Sequence, residues 1–285
     1  MDQSTLLNTG PAAWILMAVL LLAAAMIWSL ALQRRFSEVI VAGLRALLQL
    51  AVVALVIAEL APYPVLALVF IALMFAVAVW TSGHRVAARG RWWLAAAPIG
   101  VSVFPAAALM ILAGVLPWLP LALVAVLGQQ IGGAMATTTL AGRRIEAELI
   151  SRRGEVEAAV ALGFTWPVAR RMVAGPVAGD AVLPGLDQTR TAGLVTLPGA
   201  FVGMILGGAS PVAAGLVQLL VLVSLLAVNA SAAWVSLTIS TRGGWHRAGG
   251  RPADSVHAGP GQGGRSSGRL RSSLTRFRSG LPGAR

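Results

Sequence analysis

Residues Ala12–Leu32 read AAWILMAVLLLAAAMIWSLAL, and Gln33-Arg34-Arg35 follow at once. A helix crosses the hydrocarbon core of a bilayer with about 20 predominantly apolar residues, so this uncharged stretch is long enough to span. It is too long and too apolar, and lacks the basic start, to be a simple cleaved signal. Stretches of the same kind recur at Val39–Leu60, Val65–Trp80, Trp92–Leu116 and Leu119–Ala141, with two more at about Thr191–Gly208 and Ala213–Ser240. The expectation is an all-α, polytopic membrane helical bundle of about seven transmembrane helices.

Composition agrees. Of 285 residues, 57% are hydrophobic and only 11% charged, and the mean hydropathy is +0.80. Nine of the 22 basic residues and one of the 10 acidic ones fall in residues 241–285, leaving 13 basic and 9 acidic groups for residues 1–240. A soluble enzyme, a nucleic-acid reader with a folded basic face and a disordered scaffold are all excluded by so little charged surface. The chain has no cysteine, hence no disulfide, thiolate metal site or cysteine nucleophile. All 22 basic residues are arginine. A P-loop needs its lysine to reach the β/γ-phosphates, so any ATP that drives this protein is bound by another chain.

The arginines also set the orientation. They sit in Gln33–Ser37 (Arg34, Arg35), in Thr81–Arg91 (Arg85, Arg89, Arg91), in the stretch after Ala141 and in the tail. Ala61–Pro64, Pro117–Trp118 and Ala209–Val212 have none. With strict alternation every arginine-bearing loop falls on one side, which puts the N-terminus outside and the C-terminus in the cytoplasm, in a cell (plasma or inner) membrane. The transmembrane region is 1–240. Residues 241–285, rich in Gly, Ser and Arg, read as a disordered cytoplasmic tail, either simply solvated or drawn to anionic lipid.

The long non-spanning insertion is 142–190. Its charged opening, Arg143–Ile150, continues the fifth span. After Gly154 comes Glu155-Val156-Glu157-Ala158-Ala159-Val160-Ala161-Leu162-Gly163-Phe164. Val156, Ala159, Val160 and Gly163 fall at i, i+3, i+4 and i+7, one apolar or small face, and Glu155 lies where its charge suits the helix dipole. A short amphipathic cytoplasmic helix ending in glycine is expected.

Two resemblances follow from these residues. Glu157-Ala158-Ala159, followed after three intervening residues by Gly163, resembles the EAA signature of prokaryotic ABC importer-type permeases, whose helix docks in a groove of the ATP-binding subunit. The resemblance implies a coupling role for Glu155, Glu157, Ala158, Ala159, Gly163 and Phe164; a solvated interfacial helix is the other reading. Leu183–Gly199, with Pro184, Asp187, Arg190-Thr191, Gly193-Leu194-Val195 and Leu197-Pro198-Gly199, resembles a block of the FetB-type permeases. These are membrane subunits of an iron-export ABC transporter, in a family shared with plant aluminium-tolerance permeases. It extends to Arg45 and Gln49, to Gly132-Gly133-Ala134-Met135, and through Gly203, Gly208–Pro211 and Gln218, covering most of Val39–Ser240. Gly133 stands where that family often has Asn.

An ionisable residue inside a span is a functional hypothesis by default. Arg45 lies roughly 9 Å below the cytoplasmic end at 1.5 Å per residue, with Gln49 one turn deeper on the same face; snorkelling and a role in the pathway or in internal pairing both account for it. Asp187, Arg190 and Thr191 share a face if helical, as a gate or as a capped helix start. Pro198 is expected to kink the sixth span, beside a Gly199, Gly203, Gly207 face that permits close helix approach. The Gly128, Gly132, Ala136 stripe of the fifth span reads as packing within the subunit. Gln129-Gln130 open a polar patch running to Thr137–Thr139, read as interhelical hydrogen bonding or cavity lining. The histidines (His84, His246, His257) lie outside the spans, so no soft-metal site is expected, and a metal cargo would meet oxygen ligands or travel chelated.

The residues thus point to a permease without catalytic residues or a cofactor of its own, ATP and Mg staying on a partner. The resemblance implies a separate ATP-binding subunit, a homodimer of the permease in the lipid membrane, no nucleic acid, and a metal ion, iron by resemblance, as cargo. An ion-coupled secondary transporter, which calls for carboxylates deep in the spans and inverted repeats, and a non-transporting seven-span sensor or scaffold are the rivals.

Overall fold

The computed structural model describes residues 10–60, 63–87 and 90–245, without the side chains of 58–60. The expected disordered tail beyond Trp245, His246, His257, Arg89 and the side chain of Glu59 lie outside the described residues. Ten helices follow in order: α1 Pro11–Leu30, α2 Phe36–Leu60, α3 Pro64–Val86, α4 Ala96–Leu112 (entered through a 3₁₀ turn, Trp92–Ala95), α5 Pro120–Ser151, α6 Arg153–Ala161, α7 Trp166–Asp180, α8 Leu183–Thr191, α9 Gly199–Leu206 and α10 Pro211–Thr241. Proline opens α1, α3, α5, α7, α8 and α10 within the first turn, where its missing amide costs nothing and its fixed φ favours the helix. Ser210 caps α10 by accepting from the Ala213 N–H at 3.3 Å.

Six of these helices are long and apolar enough to cross a membrane: α1, α2, α3, α4 with its 3₁₀ turn, α5 and α10. Backbone groups in hydrocarbon have no water to bond, so only helices or closed barrels can span; the fold is the helical solution. As expected, α5 carries straight on through the charged run to Ser151, about 48 Å at 1.5 Å per residue.

The core lies among α3, α4, α5 and α10, where Ile71, Ile99, Val103, Leu123, Leu127, Ile131 and Val228 are buried together. Three of these helices run in the same direction. Met74 of α3 meets Gly128 of α5, Thr139 donates to Ser82 Oγ at 3.1 Å, and Val86 meets Gly142. On the other side of α5, Gln130 donates to Ser224 of α10 at 2.8 Å, and Gly142 meets Trp245 just past the end of α10. α4 runs against them, with Trp92 at Gly83 and Phe104 tilted against Phe75, ring centroids 5.2 Å apart and planes at 47°. The ends of α3, α5 and α10 that carry Arg85, Arg143 and Arg242 therefore lie together. By contrast, α1 and α2 pack on each other and touch the rest only briefly through α3 and α5; among their described side chains only Ala25 is buried.

Because α5 and α10 are parallel, the chain has to recross between them. The sequence suggests one span at Thr191–Gly208, kinked at Pro198; the structure makes the crossing in pieces. Ala174, Ala178 and Ala181 of the α7 region pack against Ala141, Ile145 and Leu237 at the arginine-rich end. Gly185 of α8 sits against Asn229, in mid-α10, and Phe201 of α9 faces Gly215 near the start of α10. Between α8 and α9 the chain turns on Gly193, φ +90°, whose N–H donates to the Thr196 carbonyl at 2.8 Å. Pro198 explains why the segment breaks instead of bending: it has no amide for the carbonyl four residues back, and it disfavours helix at Leu197. Pro198-Gly199 thus opens α9 and does not kink a longer helix. Beyond the continuation of the fifth span and the short helix expected in it, the insertion 142–190 also holds α7 and α8, which form the first part of this broken crossing.

The region expected to begin the tail is packed as far as Trp245. Its side chain is 1% exposed, in a cluster with Val86, Ala87, Leu94 and Ile239, and Arg91 donates to the carbonyls of Gly243 (3.4 Å) and Gly244 (3.3 Å). Burying one indole outweighs the polar composition around it. The close fit at Gly83 yields a test. A Cβ there would land on the Trp92 carbonyl oxygen, which is backbone, whereas one at Gly132 would meet nothing. Gly83→Ala should destabilise the purified protein by about 1–3 kcal/mol, read as a lowered melting temperature, and Gly132→Ala should not.

Candidate coupling and translocation site

The helix expected at Glu155–Phe164 is α6, and its ends show why it is short. It starts one residue after α5 stops, and Gly163 follows it at φ +98°, a left-handed conformation that ends a helix readily only with glycine. Its first turn is held by ion pairs: Arg152 donates to Glu155 through Nε at 2.7 Å and also through Nη2, and Arg153 Nε donates to Glu157 Oε1 at 2.7 Å. The Arg152 hydrogen bonds hold the Glu155 carboxyl below its ordinary range.

The two faces of α6 divide the motif. Val156 is buried with Ala169 and Val173 of α7, and Ala159, Val160 and Trp166 pack at the edge. Glu155, Glu157, Ala158, Leu162, Gly163 and Phe164 are exposed, Leu162 at 81% and Phe164 at 45%. Ala159 therefore serves the internal seam, and Glu157, Ala158 and Phe164 form the outward surface with Leu162. Leu162 was not singled out in the sequence, although an apolar side chain beside a terminal glycine was a usable signal.

Behind α6, α7 is fastened to the ends of α5 and α10. Arg170 lies over the Trp166 ring, 5.4 Å from its centroid, donates to the Thr241 carbonyl at 3.3 Å, and is within electrostatic reach of Glu146 on α5. Arg144 of α5 pairs with Asp180 at the far end of α7, 3.6 Å away. Apart from the i, i+4 contact of Arg170 with Trp166, these links are not visible in the spacing of the sequence, because each joins residues distant along the chain.

The residues expected at a gate fall on α8, α9 and α2. On α8, Asp187 and Arg190 do form a local pair, at 3.4 Å, and Thr191 Oγ1 donates to the Asp187 carbonyl at 2.8 Å. A Cβ at Gly199 or Gly203 would meet nothing, so the glycine face of α9 is unpacked within the chain. Arg45 and Gln49 are exposed on α2; the structure brings neither to Asp187. In α5 only Gly128 of the small-residue stripe is tightly packed, while Gly132 and Ala136 are exposed. The closer approach is at Gly133, where a Cβ would come within 3.0 Å of Asn229 Oδ1.

Asn229 is the residue that sequence reading missed. Its side chain is wedged between Gly133 of α5 and Gly185 of α8, whose Cβ would lie 2.6 Å from its Nδ2. It belongs to a buried polar seam between α5 and α10. Gln130, Thr138, Gln218, Asn229, Ser236 and Ser240 each keep a buried side-chain oxygen with no hydrogen-bond partner among the described residues. Among the described residues, no group of three or more His, Asp or Glu side chains gathers to hold a metal.

Residues 12–243 match the uncharacterised protein family UPF0014. The chain belongs to this family. It is 34% identical over 211 residues to the UPF0014 membrane protein STAR2 of Oryza sativa subsp. japonica, covering 72% of this chain and 71% of the relative. It is 31% identical over 196 residues to Protein ALUMINUM SENSITIVE 3 of Arabidopsis thaliana, covering 65% and 69%. With the Probable iron export permease protein FetB of Escherichia coli (strain K12) it shares 30% identity over 119 residues, 42% and 46% of the two chains. No solved structure matches. The resemblance read from Leu183–Gly199 and its surroundings is thus confirmed as family membership, and the chain is a multi-pass membrane protein.

In this member of UPF0014 the amide against α8 comes from α10, at the position where Gly133 makes room. Gly185→Val should collide with Asn229 and destabilise the seat of α8 by about 1–3 kcal/mol. Asn229→Ala in the same chain should restore a large part of that loss, a coupling of about 0.5–3 kcal/mol. Melting temperatures of the two single variants and the double variant measure it.

Proposed function

We propose that this chain is the membrane-spanning permease subunit of an ABC transporter, forming the translocation pathway and coupling it to ATP hydrolysis by a separate ATP-binding subunit. The observation that carries the reading is α6. At the arginine-rich end, which the positive-inside rule assigns to the cytoplasm, a short helix buries one face on α7. It turns Glu157, Ala158, Leu162 and Phe164 outward, where no described residue covers them. An apolar pair beside a carboxylate is the composition of a docking surface with a buried centre and a polar rim. ATP and Mg belong to the partner, because this chain lacks the lysine a P-loop requires.

Closure of the ATP-binding subunits would displace α6, and α7 would follow through Val156 and its neighbours. Arg170 and the Arg144–Asp180 pair then pass the displacement to α5 and α10. α8, seated on Asn229, and the broken turn to α9 are the part of the crossing least constrained by helical hydrogen bonds, so Asp187, Arg190, Thr191, Pro198, Gly199 and Gly203 are assigned to the gate. Two copies would form the pathway. That accounts for Arg45 and Gln49, polar and exposed on a helix with no described side chain buried, and for the uncovered glycine face of α9. The cargo is assigned as a metal ion, moved outward, on the resemblance and on a relative named for iron export. Without a histidine or carboxylate cluster among the described residues, its contacts would be neutral oxygens or those of a chelator.

Glu157→Arg or Gly163→Trp should reduce co-purification of the ATP-binding subunit by about tenfold or more. Glu157→Arg, which gives up only an exposed ion pair, should leave the melting temperature of the permease alone nearly unchanged, whereas Gly163→Trp also strains the left-handed residue that ends α6 and should lower it. Undiminished complex formation in both variants would overturn the docking role. The pairing has its own test, helped by the absence of cysteine. Chains carrying Gly203→Cys, co-expressed under two affinity tags, should cross-link between copies in membranes; copies that never co-purify would remove the homodimer.

A further inference from the structure

Arg170 and Arg171 are adjacent in sequence and have opposite fates. Arg170 is engaged by Trp166, Thr241 and Glu146. Arg171 makes no hydrogen bond or ion pair with any described residue, and the same holds for the side chain of Arg242, just past the end of α10. Both line one groove of about 160 Å³ between α7 and α10. Among the described residues no carboxylate lines it. Its apolar wall is Pro167, Val168 and Leu237. The hydroxyls of Thr238 and Thr241 also border it but donate elsewhere, to the carbonyls of Trp234 (2.9 Å) and Thr238 (3.1 Å). The donors left for a ligand are therefore two guanidinium groups, which match phosphate oxygens in planar, bidentate fashion.

We propose that this groove is a binding site for the headgroup phosphate of an anionic phospholipid of the cytoplasmic leaflet. The level in the membrane favours a lipid over a free anion. Trp234, one turn before Thr238 on α10, is 56% exposed, and exposed tryptophan near a span end marks the headgroup zone. A phosphate held by Arg171 and Arg242 would place its glycerol and first acyl carbons on Val168 and Leu237, which a soluble anion would leave bare. Basic recesses between helix ends on this side are suited to such headgroups. A lipid seated there bridges α7 to α10 independently of Arg170. The site stands whether or not the chain works with an ATP-binding subunit.

The test is native mass spectrometry of the full chain, released from micelles doped with phosphatidylglycerol or phosphatidylcholine. Phosphatidylglycerol should be retained in preference. Arg171→Gln with Arg242→Gln should weaken that retention roughly thirtyfold. Arg269→Gln with Arg271→Gln, which removes the same charge from the tail, should leave it within about twofold. The paired lysine variant, which keeps the charge and loses the fork, should fall between. Equal retention of the two lipids, or full retention by the paired glutamine variant, overturns the site. If millimolar inorganic phosphate displaces the lipid completely, the groove is an anion site for soluble phosphate and the lipid assignment falls.

Discussion

The structure depends on α5 and α10 lying side by side in the same direction. Gln130 with Ser224, Gly133 with Asn229 and Gly142 with Trp245 fix that register at three levels. Two parallel helices separated in sequence by a long insertion oblige the chain to cross back. In hydrocarbon an irregular backbone survives only where protein or water satisfies its polar groups. The recrossing through α7, α8 and α9 meets that demand in pieces. α7 closes against the helix ends, α8 rests on an amide, and the turn at Gly193 supplies one hydrogen bond of its own. Breaking the crossing leaves a segment that can move without unwinding a spanning helix, which is the property a gate needs.

Legibility in the sequence followed the range of each interaction. α1 to α5 and α10 were readable because hydropathy over about 20 residues is a local property, and α6 was readable because a short amphipathic period with a terminal glycine is local too. The fate of Thr191–Gly208 was not. Its apolar content is that of a span, and the choice between a kink and a break rests on Pro198 acting together with Gly193 and with the seat that Asn229 offers α8. Trp245 was hidden for the opposite reason, one large side chain in a stretch whose average composition reads as tail. Asn229 itself was one of two amides, with Gln218, in an apolar span, a signal present but unweighed beside the louder Arg45 and Asp187.

Family membership and geometry bear on different parts of the proposed function. The match over residues 12–243 accounts for the membrane architecture and the block around Asp187 and Pro198, and one relative's name supplies the idea of iron. The case for an external source of energy comes from the residues: no lysine anywhere, and a small helix with an uncovered surface where a soluble partner would reach it. An ion-coupled transporter would place its carboxylates in the spans, between repeats. Here Asp187 is already paired with Arg190 at the end of a short helix, and Glu148, Glu155 and Glu157 are engaged by arginines at the α5–α6 junction.

The packing of α7 on both its sides bears on the proposed coupling. Val156, Ala169 and Val173 make an apolar, close seam with α6, so α6 and α7 are expected to move together, because interdigitated side chains resist sliding. The attachment of α7 to α5 and α10 is apolar as well: Ala174, Ala178 and Ala181 are buried with Ala141, Ile145 and Leu237. Arg170, which serves the Thr241 carbonyl, and the half-exposed Arg144–Asp180 pair at 3.6 Å add polar contacts at the same helix ends. With close packing on both sides of α7, a displacement of α6 would reach the ends of α5 and α10 with little slip. The yielding is then left to the broken crossing beyond α7, where the turn at Gly193 stands in place of helical hydrogen bonds.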